Sequence, residues 1–295
     1  MSRDNVIDEA AFRRDLRHCV DVIGAHGLYI NSYYAHFWLL TSAQRRRVLE
    51  IAIDEVAGAV PIVNRVAHPS PYEAIELARH AQEAGADFVS LVIPQFGGAH
   101  DDLLIGYVEM IAREIELGIT IFNTDQAGYT ISSEQMARLA EIPNVCALKN
   151  GMGLDHTAEL RRLVGDAIVV VDPNEENLLT NMEQGQQAIY TGTNMMFDSA
   201  RATPMRDYVE TALAGDLVKA RELFEAMQPA RDLHNRWVLQ PWGRMGVCPV
   251  SVVKHWSGFM GMTGGPVPEP LPDLLTAEDR ERLRDDLRAA GLIGG

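Results

Sequence analysis

Three lysines occur in the chain, Lys149, Lys219 and Lys254, and every other strongly basic side chain is arginine. Lys149 ends the apolar run NVCALK, whose neighbours would be buried on both faces of a sheet. A desolvated amine is partly neutral near pH 7, and a neutral amine adds to a carbonyl, giving a carbinolamine and then a Schiff base. The cationic nitrogen draws electrons from the adjacent carbon. C–C cleavage, C–C formation or loss of a β-leaving group can then proceed without a metal. The bland alternative is a strand-end lysine reaching water or a carboxylate. Lys219, in GDLVKARELFEAM, reads as the solvated face of an amphipathic helix, and Lys254, in VSVVKHWSGF, as the same or a helix-end contact. The nine histidines are scattered with neither HxH nor HExxH spacing, and no GxSxG elbow or GxGxxG turn occurs. No metal, nucleotide cofactor or serine nucleophile is implied.

The elements that must position Lys149 repeat along the chain. Short β-branched apolar runs occur at 27–32 (GLYINS), 60–66 (VPIVNRV), 86–94 (ADFVSLVIP), 119–124 (ITIFNT), 145–150 (VCALKN), 167–173 (AIVVVDP) and 187–192 (QAIYTG). They predict strands buried on both faces. Between them lie amphipathic stretches with start signals: Ser70-Pro71-Tyr72-Glu73, Thr41 with Gln44, and Ser132 with Gln135 read as capping boxes. Strand–loop–helix repeats make a parallel sheet. Their regularity and the 295-residue length favour a (β/α)8 barrel over an open doubly wound sheet. Strand C-terminal ends carry the chemistry in such barrels, and Lys149 is at one. Beyond residue 197 the pattern is helical, over 198–213, 216–237, 250–260 and 277–290. We therefore expect a barrel over 1–197 and, over 198–295, the last barrel helix and a helical C-terminal extension forming one unit with it. A helix over Asp8–Ile23 leads in. Seven strands are found where a closed barrel takes eight.

Composition narrows the partners. A net charge of −15 argues against nucleic acid and against anionic membrane surfaces. The polar start MSRDNVIDEA reads as neither a secretory nor a transit signal, and Cys19, Cys146 and Cys248 fit no disulfide framework. A cytoplasmic enzyme acting on a small molecule is the expectation.

The runs AIELARHAQEAGADFVSLVIP (74–94), ITIFN (119–123), SSEQMARLAEIPNVCALKN (132–150), LAGDLVKARELFEAM (213–227) and VKHWSGFMGMTGGPVPEPL (253–271) resemble the dihydrodipicolinate synthase / N-acetylneuraminate lyase family. The likeness spans nearly the whole chain in consistent order, and it matches the seven predicted strands to the family's second to eighth, so that the first barrel strand has no counterpart at the N-terminus. It implies a barrel with a helical extension, a homotetramer or dimer, and a Schiff base to pyruvate or another 2-oxo acid on a sixth-strand lysine, onto which Lys149 falls. The family's carboxylate-binding GTTGE turn is matched here by Ser32-Tyr33-Tyr34-Ala35-His36. Its relay tyrosine on the fifth strand is matched by Phe122, the fourth-strand member of the relay by Phe96, and its rim arginine by Ala127. A phenyl ring has no exchangeable proton, so dihydrodipicolinate synthase activity itself is not expected.

Replacement groups are at hand. Tyr33 or Tyr34 could place a phenol near the imine or pack against a helix. His36 could act as acid or base near neutrality, or sit at a subunit contact. Arg65 could pair with a substrate carboxylate or with a surface acid. Tyr190 could narrow the pocket or belong to the core, and Asp125 and Tyr129 could approach the ring of loops. Aromatic groups replacing small polar ones favour a bulky or aromatic substrate. The leading reading is a lyase, an aldolase or dehydratase acting on a 2-oxo acid. Its rivals are another imine-dependent enzyme, such as a decarboxylase or hydratase–aldolase, and a non-catalytic small-molecule binder.

Overall fold

The computed structural model describes residues 6–95, 100–125 and 129–294. Six parallel strands pair in chain order: β1 (Leu28–Ile30), β2 (Ile62–Arg65), β3 (Phe88–Leu91), β4 (Gly118–Asn123), β5 (Val145–Asn150) and β6 (Val169–Val171). Helices α1 (Glu9–Arg17), α2 (Ser42–Val56), α3 (Pro71–Ala84), α4 (Asp101–Ala112), α5 (Ser133–Leu139) and α6 (Leu154–Val164) alternate with them. Outward strand residues such as Val89, Leu91, Ile119, Ile121 and Leu148 are fully buried against Leu49, Leu77, Leu104 and Leu160 of these helices. Lys149 on β5 lies 5.5 Å from the ring of Tyr29 on β1. In a flat sheet those strands would be about 19 Å apart, at 4.8 Å per strand, so the wall curls round on itself as a barrel.

The seventh predicted strand, 187–192, forms no ladder. Its phenol still points inward, because Tyr190 is hydrogen-bonded to Thr120 on β4. β1 and β6, the two strands with an open edge, are each only three residues long, so this stretch has little edge to pair with. Other boundaries move for identifiable reasons. The capping boxes at Thr41/Gln44 and Ser132/Gln135 form. At Ser70 the side chain makes no cap bond, and Glu73 instead accepts from Ser42. The leading helix passes into a π-helical turn at His18–Val22. The helix predicted over 198–213 starts only at Pro204, with Asp198 accepting from the Met205 and Arg206 amides. The one predicted over 216–237 is broken into Leu217–Ala226 and Gln228–His234. Pro229 removes a backbone donor there and clashes with the preceding turn.

The later helices enclose a second core around Trp256, Tyr208 and Phe197, with the Trp256 indole donating to the Met196 carbonyl at 2.7 Å. Leu178, Leu179 and Met196 join it from before residue 198. Among the described residues no helix is long and apolar enough to cross a membrane.

Candidate active site

Strand register decides which side chains meet inside the barrel. Lys149 pairs with Phe122, Thr120 with Ser90, Ser90 with Arg65, and Val63 with Tyr29. Side chains two apart on a strand share a face, so Tyr29, Arg65, Ser90, Thr120, Phe122 and Lys149 all project inward. The register shifts between Ile119 and Thr120, a bulge that brings Ala147 rather than Cys146 opposite Thr120. Gly118 is required below it, because a Cβ there would lie 2.8 Å from Cys146 Sγ and from the Phe88 ring.

The Lys149 amine sits 4.4 Å from the Phe122 ring centre, and among the described residues no acid pairs with it. Burial, reinforced by the nearby Arg65 guanidinium, lowers its pKa from the ordinary lysine range to about 7. Arg65 is itself fully buried. Its guanidinium lies 4.3 Å from the Tyr33 ring, 4.7 Å from Phe37 and 5.6 Å from Phe122, a box of π-faces that offsets part of the desolvation cost. Nη2 donates to the Tyr29 hydroxyl at 3.1 Å, while Nε and Nη1 have no acceptor among the described residues. Buried Arg45 donates to the Ala67 and Arg65 carbonyls, and burial with the Arg65 charge brings it down to about 10. The barrel interior beside Lys149 thus holds two buried guanidiniums, Arg65 and Arg45, with no acid paired to either among the described residues. A buried charge left this way is costly unless an anion completes it.

The turn at 32–36 stands over this pocket. Ser32 Oγ accepts from the Ala35 amide at 3.3 Å, and His36, in the left-handed region at φ 43°, donates its amide to Tyr33 at 2.9 Å. Tyr33 joins Ala67, Val92 and Phe122 in a small apolar cluster beside the amine. Tyr34 turns the other way, edge-on to Trp242 at 5.9 Å, and burial pushes its phenol up. Burial, together with Lys254, lowers His36 to about 4, so the imidazole is neutral near pH 7. Tyr129 bonds Gln135 and Asp125 is exposed at the cavity rim. The matches at Phe96 and Ala127 lie outside the described residues.

Sequence reading missed Tyr29, which donates to Ser90 Oγ at 2.7 Å, and underrated Lys254. Lys254 lines the same cavity, and burial lowers its amine from the ordinary range. The cavity is continuous from Lys149 past Tyr33, Tyr190 and Trp242 and holds about 1240 Å³. That volume includes clefts reaching Phe12, Cys19 and Glu210 as well as the space beside Lys149.

Comparison with known proteins gives the lineage. The dihydrodipicolinate synthetase family model matches residues 1–290. A 4-hydroxy-tetrahydrodipicolinate synthase of Methylobacterium radiotolerans is 29% identical, covering 99% of this chain and 93% of that protein. A probable 5-dehydro-4-deoxyglucarate dehydratase of Saccharopolyspora erythraea is also 29% identical, over 93% of this chain and 86% of its own length. Among solved structures, a prophage protein of the dihydrodipicolinic acid synthase family from E. coli K12, in complex with pyruvate, superposes with a TM-score of 0.86. It covers 99% of this chain and 95% of its own at 20% identity, a likeness of fold. With the six-stranded parallel wall, the inward lysine and a family match over almost the full length, the chain belongs to the dihydrodipicolinate synthetase family.

Proposed function

We propose that this member of a lyase family acts on a 2-oxo acid through a Schiff base on Lys149. One observation carries the reading: the amine is inside the barrel, unpaired with any described acid, and brought to about 7 by burial and by Arg65. It is therefore substantially neutral at physiological pH, and adds to C2 of the substrate without a preceding deprotonation step. The carboxylate on C1 is then held by the 32–36 turn together with Arg65, whose Nη1 lacks an acceptor and whose planar fork suits a carboxylate. Aldol addition, retro-aldol cleavage and dehydration of a hydroxylated 2-oxo acid all run through that imine. The similarity to proteins named as a synthase and as a probable dehydratase is consistent with any of the three.

Dihydrodipicolinate synthesis is disfavoured by Phe122, which carries no proton to relay. The aromatic rings beside Lys149 and Arg65 support a second reactant that is bulky or aromatic. Incubation with pyruvate and borohydride, followed by peptide mass mapping, tests the reading. A reduced adduct on the peptide bearing Lys149 is expected. An adduct only on Lys254, or none with pyruvate and longer 2-oxo acids, refutes it and leaves a small-molecule binder.

A further inference from the structure

An imine on Lys149 needs a group that gives and takes protons, and the position used for this in the family is a phenyl ring. We propose that the Tyr29 phenol is the acid–base group of this site, with Ser90 and Arg65 as the residues that position it. The proposal rests on the imine reading above and adds the group that completes it.

The geometry isolates Tyr29 among the phenols. Its ring centre is 5.5 Å from the Lys149 amine. Its hydroxyl donates to Ser90 Oγ at 2.7 Å and accepts from Arg65 Nη2 at 3.1 Å, so the oxygen is fixed from two strands. When it releases a proton, it faces a guanidinium rather than apolar wall. Tyr33 is committed to stacking against Arg65 and Phe122. Tyr34 faces Trp242. Tyr190 is tied to Thr120.

The proton bookkeeping closes on this one side chain. In the carbinolamine, Tyr29 gives its proton to the departing hydroxyl, which leaves as water while the nitrogen lone pair forms the C=N bond. The resulting tyrosinate takes a proton from C3 of the iminium. The C–H pair becomes the C2=C3 bond, the C=N pair returns to nitrogen, and the enamine is neutral with the phenol restored. No co-reactant is consumed.

The test uses the full chain with pyruvate in D2O, following loss of the methyl proton signal by NMR alongside the borohydride adduct on Lys149. Tyr29→Phe is expected to keep the ring and the fold and still to give the adduct at end point. Methyl exchange should fall by a factor of about 100 or more, the range for a lost acid–base group. Tyr33→Phe and Tyr190→Phe are expected to lose less than about tenfold. Ser90→Ala, which keeps the Tyr29 phenol but removes the bond that positions it, should slow exchange without changing the pyruvate concentration that half-saturates the adduct. Exchange in Tyr29→Phe within about threefold of the parent protein, or a larger loss in either other tyrosine variant, overturns the assignment. Should Tyr29→Phe not fold, unchanged exchange in Ser90→Ala overturns it. No Lys149 adduct in the parent protein defeats the imine reading itself, an outcome separable from failure of Tyr29 alone.

Discussion

Arg65→Met removes the guanidinium while keeping a side chain long enough to fill the space between Tyr33 and Phe122. The guanidinium and the Lys149 amine lie 5.6 Å and 4.4 Å from the same Phe122 ring centre, so they are separated by at most the sum, about 10 Å. At an effective dielectric of about 20, two like charges at about 10 Å repel by roughly 1.7 kcal/mol, or a little over one pH unit of titration. A shorter separation only raises that figure. Removing Arg65 should therefore move Lys149 upward from about 7, and at pH 7 the neutral fraction should drop by nearly tenfold. The assay is the rate of cyanoborohydride-trapped adduct formation at saturating pyruvate, measured from pH 6 to 10. The midpoint of its rising limb should shift up by about one unit in Arg65→Met, while the concentration of pyruvate needed for saturation also rises. A midpoint that stays put or falls would refute the electrostatic coupling, whatever happens to affinity.

Other consequences can be checked independently. Lys149→Met should abolish the adduct and, at pH 7, raise the thermal midpoint. The parent's amine binds a proton more readily unfolded than folded between about pH 7 and 10.5, so its burial costs stability that is recovered as pH rises through that window; a lowered midpoint at pH 7 would count against it. His234, between Phe197 and Trp256, is lowered to about 4 by burial. The unfolded chain takes up a proton between pH 6.5 and 4 that the native state does not, so this site withdraws up to roughly 3 kcal/mol on acidification. His234→Leu should flatten that loss in urea titrations at pH 7 and 4.5, and an identical loss in both proteins would exclude the site. Gly192→Ala would place a Cβ 2.8 Å from the Tyr34 ring and should cost about 1–3 kcal/mol. Most of that cost should vanish in a Tyr34→Leu background; additive effects would show that the ring is not the obstacle.

Much of the wall was legible because strands buried on both faces read as continuous apolar runs, and six of the seven runs became paired strands. The same property hid the site. A run such as GLYINS shows no in–out alternation, so nothing in it says that Tyr29 faces the amine and Leu28 faces α2. Register supplies that information. Once Lys149 is inward, its pairing carries the inward set to Phe122 and Thr120, on to Ser90, then to Arg65 and Val63, and finally to Tyr29. The bulge at Ile119/Thr120 interrupts the chain of inference from β5 to β4, and no residue in ITIFNT announces it. The 187–192 run failed as a strand for a different reason: ladder bonds need a partner edge, which periodicity within one segment cannot reveal. His36 kept its place in the turn but not its expected titration near neutrality, because burial is a tertiary property.

Local rules and global fold agree over most of this molecule, with capped helices outside and aliphatic strands beneath them. They conflict at one place. Arg65 and Arg45 are buried with no described acid, next to a lysine that is itself desolvated, and each of these choices works against stability. Phe37, Tyr33 and Phe122 lessen the cost through their π-faces without supplying a negative charge. A sequence that only needed to fill a barrel would place aliphatic side chains at these positions. The arrangement becomes favourable when an anion with a reactive carbonyl enters. On the proposed reading its carboxylate completes Arg65, the one cation that together with burial holds the Lys149 amine near 7. On that same proposal, the conflict favours a 2-oxo acid over a neutral ketone, which would meet Lys149 but leave Arg65 without an anion.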